Sequence, residues 1–186
     1  MSIKFCADLH LGHYNILRYC NRPFYNTYEM NEALITNWNQ KVTNDDIVYF
    51  LGDFSMNHNV IPNFLPRLNR KKIILVSGNH DKPFGIRANK WDQVYIDYGF
   101  DEIYRLPIVM EFNGVSLVLS HFPYDNKDPR FTDYIPKDAG LWCLHGHRHS
   151  SPDKFLNREL RTIDVGVDSR LDYSPWSLEE ILQIIN

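Results

Sequence analysis

The sequence has 186 residues, of which 44% are hydrophobic and 23% are charged, and its formal net charge is −3. These values are typical of a single globular domain over residues 1–186 that buries its own core, and they argue against a disordered chain. The slight acidity gives no overall attraction to nucleic acid or to an anionic membrane, so neither is an expected partner.

The cellular location is predicted from signals that the sequence lacks. No apolar run approaches the ~20 residues that a membrane helix needs. No secretory signal precedes the first apolar run, and three cysteines fit buried thiols better than a disulfide framework. We therefore expect a cytoplasmic protein.

Short apolar runs rich in β-branched and aromatic residues recur along the chain and predict buried strands. They cover residues 3–7, 47–51, 73–76, 115–119, 141–144 and 162–165. Asn113-Gly114 predicts a hairpin turn between residues 105–112 and the strand at 115–119. Amphipathic stretches predict helices at residues 27–42, 60–69 and 177–185. Strands that alternate with helices, followed by a hairpin and more strands, predict an α/β domain with mixed sheets.

Five of the predicted strands run directly into Asp, Asn or His. In chain order these residues are Asp8 and His10, Asp53, Asn79 with His80 and Asp81, His121, and His147 with His149. A single such residue is usually part of a turn or a cap, but five strands that end in this way are hard to explain by turns. Because sites in open α/β sheets form beyond the carboxyl ends of the strands, we expect these side chains to converge.

The donor atoms of this set predict a metal centre. Two carboxylates, one amide oxygen and four imidazoles exceed the three or four protein ligands of one zinc ion, and they suit two divalent ions that share a bridging group. Mixed nitrogen and oxygen donors favour manganese, iron, zinc, cobalt or nickel over magnesium and calcium, and manganese is our first choice. Glycines at positions 52, 78 and 146 leave room for the backbone to turn beside the ions.

Taken together, the strand-end motifs resemble the five signature blocks of the calcineurin-like metallophosphoesterases, in the same order. The motifs are Asp8-Leu9-His10, Gly52-Asp53, Gly78-Asn79-His80-Asp81, Ser120-His121 and Gly146-His147-Arg148-His149. The flanking residues, among them Arg22-Pro23-Phe24, are similar to a small stand-alone branch found in bacteria and bacteriophages. The resemblance implies the metallophosphoesterase-type fold, a sandwich of mixed β-sheets flanked by helices. Ala7 stands where relatives often have serine, at a position that does not bind metal.

The resemblance also implies a role for each motif residue. One ion is held by Asp8, His10 and His149, the other by Asn79, His121 and His147, with Asp53 as the bridge. His80 is the histidine that faces the substrate phosphate without binding metal. Asp81 is expected to orient His80 and to stabilise its charged form, as carboxylates do for catalytic imidazoles.

The function implied is a dinuclear metal-dependent phosphohydrolase, chiefly a phosphodiesterase on small or nucleotide-like phosphate esters. Two ions about 3.5–4 Å apart can hold a bridging water as hydroxide, since they lower its pKa toward ~7. His80 then stabilises a phosphate oxygen or protonates the leaving oxygen. The alternatives are a phosphomonoesterase or a nucleotide pyrophosphohydrolase of the same fold, and a non-catalytic metal-binding scaffold, which the complete motif disfavours. A DNA-processing nuclease is disfavoured by the acidic balance and the lack of an appended DNA-binding region.

Further candidates for substrate binding lie outside the motifs. His13, Asn15 and Arg22 follow the first ligands, and the planar guanidinium of Arg22 suits a phosphate, although loop hydrogen bonds explain these residues equally well. Residues 122–140 are rich in proline and aromatic side chains, which predicts a packed lid near the site. In this lid, Tyr124 and Arg130 are candidates to contact substrate.

Overall fold

The computed structural model describes residues 1–85 and 88–186, and within them ten strands form two five-stranded sheets. The strands are β1 (Ile3–Cys6), β2 (Ile47–Phe50), β3 (Lys72–Val76), β4 (Glu102–Tyr104), β5 (Ile108–Phe112), β6 (Val115–Leu119), β7 (Trp142–His145), β8 (Leu156–Asn157), β9 (Thr162–Asp164) and β10 (Trp176–Ser177). The helices are α1 (Ile16–Tyr19), α2 (Thr27–Lys41), α3 (Ile61–Phe64), α4 (Asp92–Tyr98) and α5 (Leu178–Ile185).

Both sheets are mixed, and each has a parallel centre. The first sheet has the order β10-β1-β2-β3-β4, in which β1 to β4 run parallel and β10 pairs antiparallel with β1. The second has the order β5-β6-β7-β9-β8, in which β6, β7 and β9 run parallel and the two edge strands are antiparallel. This architecture confirms the predicted α/β sandwich of mixed sheets.

Two hydrophobic cores lie on the two faces of the first sheet. Side chains alternate across a strand, so Val48 and Phe50 of β2 face the helices, where Trp38 of α2 is fully buried. Tyr49, between them in sequence, faces the second sheet and joins a core that includes Leu117 of β6. Burial on both faces explains why these strands read as continuous apolar runs in the sequence.

The predicted helices at residues 27–42 and 177–185 are confirmed as α2 and α5, whereas α1 and α4 were not predicted. The helix α2 begins after Asn26, whose side chain accepts a hydrogen bond from the backbone N–H of Glu29, and α5 begins with a capping box of Ser177 and Glu180. The prediction of one helix over residues 60–69 is wrong. That segment forms α3 between two 3-10 turns, because Pro66 has no N–H to donate and its ring obstructs a continuous α-helix.

The fold brings the functional strands together at one edge. The strands β1, β2 and β3 are parallel, as are β6 and β7, so the loops that follow them leave each sheet at its carboxyl end. The sheets touch there, since the backbone N–H of Val167 donates to the Ala7 carbonyl at 3.1 Å. Among the residues described, no helix is both long enough and apolar enough to cross a membrane.

Candidate metal centre

The structure collects the predicted ligands at the edge where the two sheets meet. Loops after β1, β2 and β3 carry Asp8, His10, Asp53 and Asn79, and loops after β6 and β7 carry His121, His147 and His149. The loops are hydrogen bonded to one another. The backbone N–H of Asp8 donates to the Gly52 carbonyl, and the backbone N–H of His147 donates to the Asp8 carboxylate at 2.9 Å. The sequence prediction that these residues converge is confirmed.

Five of the seven predicted ligands have a left-handed backbone. Their φ angles are 59° at Asp8, 49° at His10, 60° at Asp53, 71° at His147 and 51° at His149. This conformation costs a non-glycine residue about 1–3 kcal/mol, and it persists only where the surroundings fix it. Such strain concentrated on one set of side chains is typical of a functional site.

Glycines beside the ligands leave space that no other residue allows. A Cβ atom at Gly78 would lie 2.2 Å from Oδ1 of Asp53. One at Gly146 would lie 2.5 Å from Oδ2 of Asp8. The two carboxylates therefore occupy positions that a larger residue at Gly78 or Gly146 would block.

The first donor group consists of Asp8, His10 and His149, whose ligand atoms lie within 4.8 Å of one another. Oδ1 of Asp8 is 3.9 Å from Nε2 of His10 and 4.0 Å from Nε2 of His149. Among the residues that the structure describes, Oδ1 of Asp8 and both ring nitrogens of His10 are buried without a hydrogen-bond partner. Buried polar atoms are normally paired, and a cation between Oδ1 of Asp8 and Nε2 of His10 would satisfy these two atoms. The residues present thus fit a metal ion.

The second donor group surrounds His121. Its Nδ1 is 2.8 Å from the Leu51 carbonyl oxygen, which can only accept, so Nδ1 carries the proton and Nε2 presents a lone pair. Oδ1 of Asn79 lies 3.1 Å from this Nε2, and Oδ2 of Asp53 lies 3.5 Å from it. The ring of His147 is adjacent, with its centroid 5.2 Å from that of His121. Asn79 and Asp53 thus place oxygen donors close to the free lone pair of His121.

Asp53 faces both donor groups. Its Oδ2 is 3.5 Å from Nε2 of His10 in the first group and 3.5 Å from Nε2 of His121 in the second. Its Oδ1 accepts a hydrogen bond from the backbone N–H of His80, which fixes the carboxylate.

Electrostatics prepare the histidines for metal binding. Burial lowers the pKa of His10 well below its ordinary value and also lowers that of His121. Burial, with His121 as a neighbour, lowers the pKa of His147 to about 4. Rings with lowered pKa values are neutral at pH 7 and offer free lone pairs. Burial raises the pKa of Asp8 well above its usual range, although the neighbouring His149 opposes the rise.

Four of the seven predicted ligands line one cleft of about 600 Å³, and they are His10, Asp53, His147 and His149. His80 lies in this cleft with its side chain 39% exposed, and its Nε2 is 3.9 Å from Oδ2 of Asp53. His13 and Asn15, both candidates for substrate binding, also line the cleft. A molecule bound there would meet the metal-binding side chains and His80 together.

Comparison with known proteins identifies this arrangement. The sequence matches the calcineurin-like phosphoesterase family over residues 1–181. The chain belongs to this family. It is therefore a metal-dependent phosphoesterase, a hydrolase that acts on ester bonds, and the family implies divalent metal ions.

The relatives of this phosphoesterase come from archaea, bacteria and phages. It is 36% identical to an uncharacterized protein of Methanocaldococcus jannaschii, across 99% of this chain and 91% of the relative. It is 31% identical to the Gene 66 protein of Mycobacterium phage D29, across 100% and 96% of the two chains. The crystal structure of a protein of unknown function from Aquifex aeolicus superposes with a TM-score of 0.74, at 26% identity and 99% coverage of both chains. These relatives fit the small stand-alone branch.

The sequence hypothesis for Arg22 does not hold in the phosphoesterase. Its guanidinium is buried and donates to both carboxylate oxygens of Asp168 at 2.8 Å, and to the carbonyl oxygens of Asp8 and Leu9. No donor is left to face the cleft. Arg22 instead binds the loop that carries the first ligands, which is the alternative that the sequence left open.

Asp168 continues this network to a predicted metal ligand. Its Oδ2 is 2.7 Å from Nδ1 of His149, so it accepts the proton of that nitrogen and turns Nε2 toward Asp8. Burial opposes the charged ring of His149, but Asp8 and Asp168 raise its pKa to about 11. Sequence analysis missed this contact, because nothing in the sequence links positions 19 residues apart in separate loops.

Asp81 does not orient His80 as expected. Its carboxylate accepts hydrogen bonds from the backbone N–H groups of Asp53, Gly78 and Phe54, at 2.8, 2.9 and 3.2 Å. Among the described residues no hydrogen bond joins this carboxylate to the His80 ring. A carboxylate saturated by three amides of two strand-end loops holds those loops together, and this corrects the predicted catalytic role.

The segment at residues 122–140 packs near the site, as predicted. Phe122 and Phe131 stack on each other, and both rings contact His147. The Tyr124 hydroxyl donates to the Leu141 carbonyl, and the exposed guanidinium of Arg130 pairs with the neighbouring Asp128. Neither Tyr124 nor Arg130 lines the cleft, so the structure does not bring these two candidates together with the predicted ligands.

The cleft also contains residues that the sequence did not single out. They are Ile16, Tyr19, Cys20, Met56 and Arg148. Apart from Arg148, they come from α1 with the residue that follows it, and from the loop after β2. Arg148 lies within the last motif but was given no role, and no motif marks the other four, because a side chain at a cleft rim is set by how the loops fold over the ligands.

Proposed function

We propose that the chain is a dinuclear phosphodiesterase that hydrolyses small or nucleotide-like phosphate esters. The observation that supports a dinuclear centre is the position of Asp53, whose Oδ2 is equally far from Nε2 of His10 and Nε2 of His121. One carboxylate between two donor groups is the geometry of a bridging ligand. We assign Asp8, His10 and His149 to one ion, Asn79, His121 and His147 to the other, and Asp53 to both.

The bound ions would supply Lewis-acid activation of water and of the phosphate oxygens. Mixed nitrogen and oxygen donors make manganese our first choice, with iron, zinc, cobalt and nickel as alternatives. The strained loops would hold the ions through the ligand side chains, and Asp168 fixes the tautomer of His149.

His80 is the residue that we assign to the substrate. It is exposed in the cleft, and Asp53 fixes its backbone by accepting its N–H at 2.9 Å. From this position its Nε2 donates a hydrogen bond to a phosphate oxygen or a proton to the leaving oxygen. A scaffold without turnover has no use for an exposed imidazole beside two donor groups, which argues for an enzyme.

The proposal is tested by metal analysis together with a panel of substrates. Protein reconstituted with Mn²⁺ should bind two ions per chain and hydrolyse bis-p-nitrophenyl phosphate faster than p-nitrophenyl phosphate. Cyclic nucleotides and dinucleotide polyphosphates complete the panel, and EDTA should abolish the activity. Asp53→Asn should weaken both ions together, because the shared carboxylate contributes to both groups.

Each result has a clear contrary outcome. One ion at saturation with full activity would rule out the dinuclear centre. A faster reaction with the monoester would favour a phosphomonoesterase, and fully metallated protein that hydrolyses nothing in the panel would favour the scaffold.

A further inference from the structure

One part of the cleft wall is apolar. The helix α1 contributes Ile16 and Tyr19, and the loop after β2 contributes Met56. Tyr19 is 75% exposed and Met56 is 42% exposed. Large apolar surface beside a polar cleft remains in water until a ligand covers it, so its burial favours binding.

The position of Tyr19 distinguishes it from other exposed tyrosines. Tyr14, Tyr25 and Tyr28 are also exposed, but none of them lines the cleft. The Tyr19 ring meets His13 edge to face at 6.2 Å, and His13 lies 5.4 Å from His10. Tyr19 is thus linked to the predicted ligand His10 through two successive ring contacts, with His13 between them.

The exposed surface suits a flat group. Few side chains form the apolar part of the wall, and Tyr19 and Met56 keep much of their surface exposed to solvent. An aromatic ring such as Tyr19 offers a planar face, and nucleobases and aryl groups stack on such faces whatever their hydrogen-bonding pattern. A thioether such as that of Met56 adapts its shape to a ring and contacts it favourably.

We infer that Tyr19 and Met56 form a subsite for a flat aromatic group esterified to the phosphate, as in a nucleoside phosphodiester. This inference rests on the proposed function, because the phosphate must lie at the metal centre for the attached group to reach Tyr19. The ester group cleaved and the group retained are each able to occupy the subsite. In either case the subsite contributes affinity for the ring, whereas the chemistry at phosphorus is unchanged.

The test measures binding rather than turnover. Isothermal titration calorimetry of the Mn²⁺-loaded chain would compare adenosine 5′-monophosphate with ribose 5-phosphate, which has the same phosphate and sugar without the base. We expect the nucleotide to bind about 10- to 100-fold more tightly, the range of stacking on one aromatic side chain. Phenyl phosphate, compared with ribose 5-phosphate, shows whether a plain aryl ring is accepted as well.

Variants then locate the preference. Tyr19→Ala should remove most of it, Tyr19→Phe should retain it, and Met56→Ala should reduce it slightly. Tyr25→Ala is the matched control, since Tyr25 is 94% exposed and lies outside the cleft. All of these side chains are exposed, so the fold should not depend on them.

The outcomes separate the subsite from the function. Equal affinity of the wild-type chain for nucleotide and sugar phosphate, or a preference that survives Tyr19→Ala, would overturn the subsite while the phosphoesterase stands. Failure of every phosphate to bind the metal-loaded chain would instead count against the proposed function. If phenyl phosphate also binds more tightly than ribose 5-phosphate in a Tyr19-dependent way, the subsite accepts any flat ring; otherwise it is selective for nucleosides.

Discussion

His80 differs from the other histidines at the strand ends in its exposure. Its side chain is 39% exposed, whereas those of His10 and His121 are 2% and 1% exposed. A metal ligand can be buried, because the ion that it binds replaces the water that burial removes. A residue that meets substrate must be reachable from the cleft. Exposure therefore assigns His80 to the substrate rather than to an ion.

His80→Ala should leave the metal content unchanged while the rate of hydrolysis falls by ~10²–10⁴, the usual effect of losing a positioned proton donor. The loss should be smaller for esters of p-nitrophenol than for esters of a ribose hydroxyl, because p-nitrophenolate leaves without protonation. Metal analysis and a comparison of leaving groups measure both effects. Loss of an ion would make His80 a ligand, and an equal loss on all leaving groups would leave it only a phosphate-stabilising role.

A second prediction concerns Asp168, which contacts a predicted ligand without being one. Removing its charge in Asp168→Asn should weaken binding of one ion by about 10–100-fold, as for other carboxylates that orient metal-binding histidines. The ion affected is the one assigned to His149, whose Nδ1 lies 2.7 Å from Oδ2 of Asp168. Arg22→Lys should have a milder effect, since lysine keeps the charge but loses the two-pronged contact.

Competition with a chromophoric chelator measures the two affinities separately. Asp153→Asn is the matched control, because Asp153 is an exposed aspartate whose partner is the nearby Ser151. The role of Asp168 is rejected if its variant binds both ions with normal affinity. It is also rejected if both affinities fall equally, because that would indicate a general loss of structure.

At the scale of elements, one carboxylate joins the starts of two neighbouring strands. Asp46 precedes β2, and it accepts hydrogen bonds from the backbone N–H and hydroxyl of Ser2, which precedes β1. It also accepts both donors of Thr43, in the turn after α2. Burial disfavours the charge, but these four donors lower the pKa of Asp46 to about 2. The carboxylate thus fixes where the parallel pair begins.

This lowered pKa makes the stability of the fold depend on pH. A carboxyl group with a pKa below its ordinary value of about 4 stabilises the fold above pH 4, and the contribution disappears as pH falls toward 2. At about 1.4 kcal/mol per pKa unit, the contribution is about 2–3 kcal/mol. Asp46→Asn should lower the free energy of unfolding at pH 7 by roughly this amount and flatten its decline between pH 4 and 2.

Urea unfolding at several pH values tests this expectation. Asp45→Asn is the control, since Asp45 is an exposed neighbour of the same charge. Equal pH profiles for wild type and Asp46→Asn would show that another group controls the acid limb. Equal losses in the two variants would point to net charge rather than to the hydrogen bonds.

The strand positions and the convergence of the polar residues that follow the strands were predictable from the sequence, because local patterns determine them. Short apolar runs predicted every central strand of both sheets, and the polar residues after them marked the site. The contacts of Arg22 were not predictable, since its partner Asp168 lies 146 residues away in the sequence. The true contacts of Asp81 were equally hidden, because its partners are backbone amides that carry no sequence signal. The pairing of loops from separate strands emerges only when the sheets close.

The whole molecule is needed to form the metal centre, since each sheet supplies part of each donor group. Gly146 shows how closely the sheets approach. It follows β7 in the second sheet, and a Cβ atom there would lie 2.5 Å from Oδ2 of Asp8 and 2.7 Å from Cβ of Ala7, both after β1 in the first sheet. Contacts under 3 Å force one partner to move. Asp8 is fully buried, so it can yield only by leaving the donor group or by separating the sheets.

Gly146→Ala should therefore cost about 1–3 kcal/mol of stability by overpacking and weaken the ion assigned to Asp8, His10 and His149. Gly140→Ala is a control for the loss of stability itself. Its Cβ would meet nothing within 4 Å, but its φ of +83° makes alanine strained, at about 1–2 kcal/mol. The control should keep both ions despite a similar fall in melting temperature. If Gly146→Ala binds both ions as tightly as the control does, the close approach of the sheets does not determine the metal centre.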